Sequence, residues 1–565
     1  MVLSKILSRS ELLELIGETV PVGTPDPTDP LILARLSALT DELIDKSGRQ
    51  ALGSDPFSDV YDRQIVIDRV QIASILKNKV VLITGGCGFV GTNLIAKLQQ
   101  FGVKRIVAVD ISTGSSQPVK IDPIATTNIH IPVAYYCSDV RNLHSSVAEH
   151  PLPSRVADAD LSTAFYSSVQ PSSPPMASQK SLTHIFAIER PQIVFHLAAE
   201  RLPGLAELQI HQTVSTNILG CDNIIHLCEK FAVESCIFSS TGKASRYFTP
   251  DIYAASKKIS EWLFSDNSRS RTCQYGIVRF THVVENSPVS ADLDARVADG
   301  LVSLHAPDRY IYTQNIRESV NLLLDALTIV KPGRTKLIAV RDIGWPINTL
   351  DLALHKILKS GKKIPLYFKG LPAGYETQVF LGQLDLSGER EVLPMLNVLE
   401  ADGSEISPTG DVVISEIIPF DAEVLQQSIA NIRAAIGSND LTLKQTVIDS
   451  EKAIALSSFG GANPLRLLDI LKWGVNVEQK STVGAELSGD PEIVALLQKG
   501  VEIARSAETV KLGRALLTSA IMPAPISPSA DRNLSDLLPL HKHRRTGTNQ
   551  RKCKKDLDPV TGDLG

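Results

Sequence analysis

Asp251-Ile252-Tyr253-Ala254-Ala255-Ser256-Lys257 puts a phenol and an ammonium four residues apart, on one face of the helix this segment is expected to form. Tyrosine holds its proton to about pH 10 and is a poor base at neutrality, but a positive charge nearby favours the phenolate. Lys257 can supply that charge, so Tyr253 can take the proton of a hydroxyl group. Just upstream, Cys236-Ile237-Phe238-Ser239-Ser240-Thr241 reads as a strand ending in hydroxyls, with Thr241 placed to hydrogen-bond the reacting oxygen. Alone, a Tyr-x-x-x-Lys pair is ordinary on a helix surface, and the residues that precede it give it weight.

Those residues are Gly85-Gly86-Cys87-Gly88-Phe89-Val90-Gly91. Gly85, Gly88 and Gly91 have the spacing that lets a backbone turn sharply, approach a pyrophosphate and aim the next helix's N-terminus at it. Val80 to Ile83 is the apolar run of a buried parallel strand, and Asn93 to Phe101 carries apolar residues at helical spacing. A second run, Ile106 to Val109, ends in Asp110, about 20 residues after the glycines, where a carboxylate accepts both ribose hydroxyls of NAD and repels a 2′-phosphate. No Arg or Lys occurs from Ile111 to Pro118, so NAD is favoured over NADP. Beside an oxidised nicotinamide ring, Tyr253 gains a second positive neighbour and can take a hydroxyl proton as hydride leaves the carbon. Lys257 would also hold the nicotinamide ribose.

The elements around these residues alternate. Strand-like runs at 133–136, 193–197, 235–239 and 276–280 are separated by helical patterns such as 216–231, which specifies an α/β, doubly wound parallel sheet of the Rossmann kind. Residues 1–75 read as a helical lead-in, with helices at 31–43 and 71–76. Residues 76–280 form the NAD-binding core, with a long inserted loop near 143–180 that contains Pro171-Ser172-Ser173-Pro174-Pro175. Residues 281–400 are expected to form a smaller substrate lobe. Residues 401–520 read as mostly helical, with helices at 422–436 and 491–520, and 521–565 as a basic disordered tail.

A chain of 565 residues, with a formal net charge of -5, is long enough for two or three folded units and gives no global argument for nucleic acid. Its seven cysteines show no paired spacing and no metal-binding pattern, which fits reduced thiols, a cytoplasmic location and no metal site. No apolar run reaches transmembrane length.

With these motifs in order, residues 59–385 resemble the extended short-chain dehydrogenase/reductases, specifically the CapD-type nucleotide-sugar epimerases and dehydratases of polysaccharide biosynthesis. The resemblance is carried by Asp62-Arg63-Gln64-Ile65-Val66-Ile67-Asp68-Arg69, Ser138-Asp139-Val140-Arg141, Val194-Phe195-His196-Leu197-Ala198-Ala199 and Thr216-Asn217-Ile218-Leu219-Gly220. It continues through Ser240-Thr241-Gly242-Lys243-Ala244, Val278-Arg279-Phe280 and Arg309-Tyr310-Ile311-Tyr312-Thr313. It implies that Asp139, Val140, Ala198, Ala199 and Asn217 join Gly85, Gly88, Phe89, Val90, Gly91, Asp110 and Lys257 around the cofactor. It also implies a homodimer or higher homo-oligomer through helices beside the site.

Two departures bear on the reaction. Family members that remove water carry an acid after the Ser-Thr pair to protonate the leaving hydroxyl, whereas this chain has Gly242, leaving Lys243 to assist. Tyr253 stands where many long-form dehydratases of the group have methionine, so the ordinary oxidoreductase dyad is intact. Thr281-His282 replaces the usual Gly-Asn, and Gly370-Leu371-Pro372-Ala373-Gly374-Tyr375-Glu376 replaces a more cationic run. Arg201, Arg279 and Arg309 are left as candidates to grip a diphosphate. The sequence thus points to an NAD-dependent oxidoreductase or epimerase of a nucleotide-linked sugar. The alternatives are a net dehydrogenase/reductase or dehydratase on another hydroxylated metabolite, and an NAD-binding scaffold with reduced catalysis.

Overall fold

The computed structural model describes residues 7–111, 131–143, 180–270, 273–372, 380–475 and 491–503. The inserted loop near 143–180, apart from its ends, and the basic tail lie outside them, as do 476–490 and 504–520 of the helical C-terminal region.

One nine-stranded sheet organises the core. Its strands are β1 (Val80–Thr84), β2 (Arg105–Asp110), β3 (Val133–Cys137), β4 (Ile193–His196), β5 (Ser235–Thr241), β6 (Gln274–Phe280), β7 (Lys336–Val340), β8 (Glu405–Ile406) and β9 (Val412–Glu416). In space they run β8, β9, β7, β6, β5, β4, β1, β2, β3. From β7 to β3 every neighbouring pair is parallel, with Val81 opposite both Ile106 and Ile193 and Phe238 opposite His196 and Ile277. Chain order reverses between β4 and β1, which opens the crevice at the C-terminal strand ends where doubly wound sheets bind ligands. Every residue of β1 and of β5 is buried, as helices on both faces require.

The expected strands are all present, but the domain boundaries at 280 and 400 do not hold as drawn. The apolar run Leu337-Ile338-Ala339-Val340 returns the chain to the main sheet beside β6. Val412–Glu416 then pairs antiparallel with it, Val340 facing Val412 and Leu337 facing Ser415. Sheet pairing joins residues far apart in sequence, and local periodicity cannot show it.

The N-terminal helices are part of the lobe rather than a separate lead-in. Leu12, Ile16, Leu36 and Leu43, on helices Arg9–Thr19 and Pro30–Ser47, share a second core with Leu293, Val302, Leu350, Leu354 and Leu366. Polar contacts fix this docking. Thr40 Oγ1 accepts the Leu366 N–H at 3.0 Å, His355 Nδ1 meets the Leu52 carbonyl at 2.7 Å, and the Tyr367 hydroxyl donates to Asp26 at 2.6 Å. Arg63 forks onto Glu318 at 3.1 Å and onto the carbonyls of Thr313 and Ile343.

Helices Ala422–Ala435, Asp440–Gly460, Pro464–Val475 and Pro491–Ile503 pack together beside the core. Asp440–Gly460 lies across helix Ile252–Asn267, whose residues are buried on every side from Ile252 to Phe264 apart from the half-buried Tyr253. Among the described residues, no helix is long and apolar enough to cross a membrane, and no group of three His, Cys, Asp or Glu side chains could hold a metal.

Candidate active site

The glycine turn follows β1 directly. Gly85 has φ +71°, and a Cβ there would stand 2.8 Å from the Ala198 nitrogen, so the turn lies against the loop that leaves β4. A Cβ on Gly91 would meet the Gly85 carbonyl at 2.3 Å, which lets helix Phe89–Leu98 sit close on the strand. Gly88 occupies that helix's N-cap, where no side chain takes up the first-turn N–H groups. Gly86, outside the spacing rule, is as tightly packed, its virtual Cβ 2.8 Å from that of Ala108. The Asp110 carboxylate accepts the Cys87 N–H at 3.0 Å, which holds the acid at the end of β2 beside the turn. Phe89 and Val90 are half-buried at the start of the helix.

Asp139 turns its carboxylate to Arg141, accepting the Arg141 N–H at 2.9 Å and its Nε–H at 2.8 Å. Val140 is 3% exposed and lies under Gly220, where a Cβ would come within 2.9 Å of it. Ala198 donates its N–H to Thr84 Oγ1 at 3.3 Å, while Ala199 follows in the same half-buried loop.

Asn217 lies in a π-helical turn, Ser215–Leu219, and stitches three elements together. Its Oδ1 accepts the Glu200 N–H at 2.9 Å, and its Nδ2 donates to the Glu200 carbonyl and to Ser256 Oγ, both at 3.0 Å. Ser260 Oγ donates to the Asn217 carbonyl at 2.6 Å. Asn217 thereby sets the β4 loop against the helix that carries Tyr253.

That helix, Ile252–Asn267, is capped by Asp251, whose Oδ1 accepts the Tyr253 N–H at 2.9 Å. The other carboxylate oxygen, Oδ2, accepts from Lys243 Nζ at 3.0 Å. Tyr253 and Thr241 are brought together. Burial pushes the phenol above its usual range, while its hydrogen bond with the Thr241 side chain and the Arg201 cation pull it down against the opposing charge of Asp251. Lys257 lies one turn further on, 3% exposed, with its ammonium 4.3 Å over the Phe238 ring. Burial pulls it down to about 8. Arg201 is a second cation that bears on Tyr253, alongside the Lys257 of the same helix.

Arg201 also bears on His282, whose Nε2 bonds the Ser287 hydroxyl and whose ring burial holds down to about 4. His282 is the recognition candidate that pattern reading missed. Its signal was the replacement of the usual Gly-Asn, which was read only as a loss. His196, fully buried between Thr84 Oγ1 at 2.7 Å and Cys221 Sγ at 3.2 Å, is held neutral by burial and the nearby Lys257.

Arg279 requires correction as a substrate contact. It is completely buried, and Nε, Nη1 and Nη2 donate to both oxygens of Glu261 and of Glu400 at 2.7–2.9 Å and to the carbonyls of Met395 and Ala244. Ser240 Oγ joins at Glu261 and Lys258 at Glu400, so the network ties β5, β6 and the Tyr253 helix to the segment around Asn397. Spacing could not separate a buried guanidinium from a ligand-facing one. Arg309 pairs with its neighbour Asp308 at 3.1 Å, while its carbonyl accepts the Thr349 N–H.

The sheet order defines the fold class, and sequence comparisons bear on the family. The family described as "Polysaccharide biosynthesis protein" matches residues 168–378. The capsular polysaccharide biosynthesis protein CapD of Staphylococcus aureus is 24% identical over 332 residues, 57% of this chain and 47% of the relative. The probable polysaccharide biosynthesis protein EpsC of Bacillus subtilis is 22% identical over 345 residues, 60% and 51% of the respective chains. The inverting UDP-N-acetylglucosamine 4,6-dehydratase of Campylobacter jejuni serotype O:2 is 32% identical over 94 residues, 16% of this chain and 28% of its own. The chain thus spans about half the length of the first two relatives. These matches, the motif order and the sheet order support the resemblance of the core to the extended short-chain dehydrogenase/reductases of the CapD type.

Proposed function

We propose that the chain is an NAD-dependent oxidoreductase or epimerase of a nucleotide-linked sugar in glycan biosynthesis, with Tyr253 as proton acceptor and donor. The carrying observation is the placement of Tyr253 and Lys257 on one buried helix packed against β5, the strand that ends in Thr241, whose side chain acts on the phenol. The names of the polysaccharide-biosynthesis relatives, and of the UDP-sugar dehydratase, support the substrate class.

The residues present fit a dinucleotide. The Gly85 turn, the close seat that Gly91 permits and the uncapped N-terminus of helix Phe89–Leu98 make a cradle for a pyrophosphate. Asp110 would take the ribose hydroxyls, and the acid there favours NAD over NADP. When bound, NAD would take up the hydride released from the carbinol carbon.

Tyr253 accepts the hydroxyl proton at Oη, Thr241 orients the same oxygen, and the Arg201 cation favours the phenolate. If the resulting ketone turns its other face before the hydride taken up by the cofactor is given back to its carbon, Tyr253 returns the proton to oxygen and the product is the epimer. Arg201 and His282 are the candidate sugar or phosphate contacts. Dehydration is opposed by Gly242, which can donate no proton. Lys243, already engaged by Asp251, would have to do so.

The test is incubation of the purified protein with NAD and a panel of UDP- and dTDP-linked sugars, following NADH absorbance and product mass together. An isomer of unchanged mass without net NADH supports epimerisation, and stoichiometric NADH supports net oxidation. Loss of one water would establish dehydration. Failure with every nucleotide sugar, despite NAD binding, would refute the substrate class.

A further inference from the structure

Helix Asp440–Gly460 carries a carboxyl that the reaction above does not use. Glu451 is 0% exposed. Its Oε2 accepts the Thr249 N–H at 3.4 Å, and its Oε1 has no hydrogen-bond partner among the described residues. Thr249 Oγ1 in turn accepts the Asp251 N–H at 3.2 Å, and Asp251 caps the Tyr253 helix and holds Lys243. The same long helix grips this corner elsewhere. Lys444 pairs with Glu207 at 2.5 Å, and Glu207 accepts the Ile252 N–H at 2.9 Å. The Lys452 ammonium lies 4.8 Å over the Phe248 ring.

We propose that Glu451 is a positioning residue of the active site: through it the C-terminal helix holds the Thr249–Asp251 turn, and with it the Asp251 carboxylate that organises Lys243 and the first turn of the Tyr253 helix. The inference rests on the oxidoreductase reading only for its kinetic readout.

Burial holds the Glu451 carboxyl protonated up to about 8. Asp251 pushes in the same direction, while the Thr249 N–H, Lys258 and Arg246 oppose it. Lys452, next in sequence, is taken up by Glu492 at 3.0 Å as well as by the ring. The neutral acid lets the helix grip the turn without a second negative charge beside Asp251. When it ionises, that charge adds to the one already raising Tyr253.

Glu451→Gln fixes the neutral form and keeps an oxygen for the Thr249 N–H. Lys257 titrates in the same range, so kcat should fall above about pH 8 in both proteins, and across that fall wild type should lose about threefold more than Glu451→Gln, from similar rates near pH 7. A second readout needs no substrate. The phenolate absorbance of each protein, less that of its Tyr253→Phe counterpart, isolates the Tyr253 titration, and its midpoint should move down by about half a pH unit or more in Glu451→Gln. An equal alkaline fall in the two proteins, or an unchanged Tyr253 midpoint, overturns the proposal. If wild-type protein turns over no sugar, the oxidoreductase reading fails separately, and the phenol titration alone decides the role of Glu451.

Discussion

Met395 fills the space where a side chain at position 242 would stand: a Cβ on Gly242 would be 2.9 Å from its sulfur and 3.1 Å from its methyl carbon. The missing acid is thus matched by a filled volume, contributed by a segment that the Arg279 network anchors. Gly242→Asp should be destabilised by about 1–3 kcal/mol through overpacking. Met395→Ala in the same protein should relieve most of that. Paired chemical denaturation of the single and double variants measures the coupling.

Tyr253→Phe keeps the ring and removes the acid/base. NAD binding should be unchanged, while kcat falls by about 10²–10⁴-fold. Isothermal titration with NAD, alongside the nucleotide-sugar assay, checks both halves. A variant that retains its rate would remove Tyr253 from the acid/base role.

Arg279→Met should act on folding. Removing one member of a completely buried network leaves Glu261 and Glu400 facing each other without their shared cation, at a cost of about 3–5 kcal/mol. Denaturant unfolding should show that loss. A variant of wild-type stability with only a raised sugar KM would reinstate Arg279 as a substrate contact.

Lys257, held down to about 8 in the folded protein, gives two pH effects of opposite sign. Its ammonium is lost as pH rises through 8, so it contributes one unit of slope to the alkaline fall in kcat. The unfolded chain, however, keeps the proton to about pH 10.4, so folding stability attributable to this group rises across the window from about 8 to 10.4. Thermal unfolding of wild type and Lys257→Met between pH 7 and 10 should show the difference between them change in that direction.

The parts of the molecule legible in the sequence are those written locally. The Gly85 turn, the apolar runs of β1 and β2 and the four-residue spacing of Tyr253 and Lys257 are each contained within a few residues. Local patterns specify local backbone. What stayed hidden depends on contacts across hundreds of positions. Nothing around Arg279 announces Glu400, nothing around Thr249 announces Glu451, and the apolar face of helix Pro30–Ser47 gives no sign that its partner is Leu366. The pairing of β7 with β9 escaped for the same reason. Tyr253 and Lys257 were found by spacing, and Arg201 was singled out as a diphosphate contact; that its charge bears on the phenol was not legible, because spacing gives the face of a helix and not the direction a long side chain takes.

The lobe's second core also sets an order of events during synthesis. Leu12, Ile16, Leu36 and Leu43 leave the ribosome before the residues that bury them, Leu350 to Leu366, have been made. At roughly 5–20 residues per second, these apolar faces wait on the order of 15–60 seconds for cover. Nascent chains ending near residue 330 should therefore be cut readily within their first 60 residues by a protease, and chains ending near residue 420 should resist. These helices are made long before the residues that seal them.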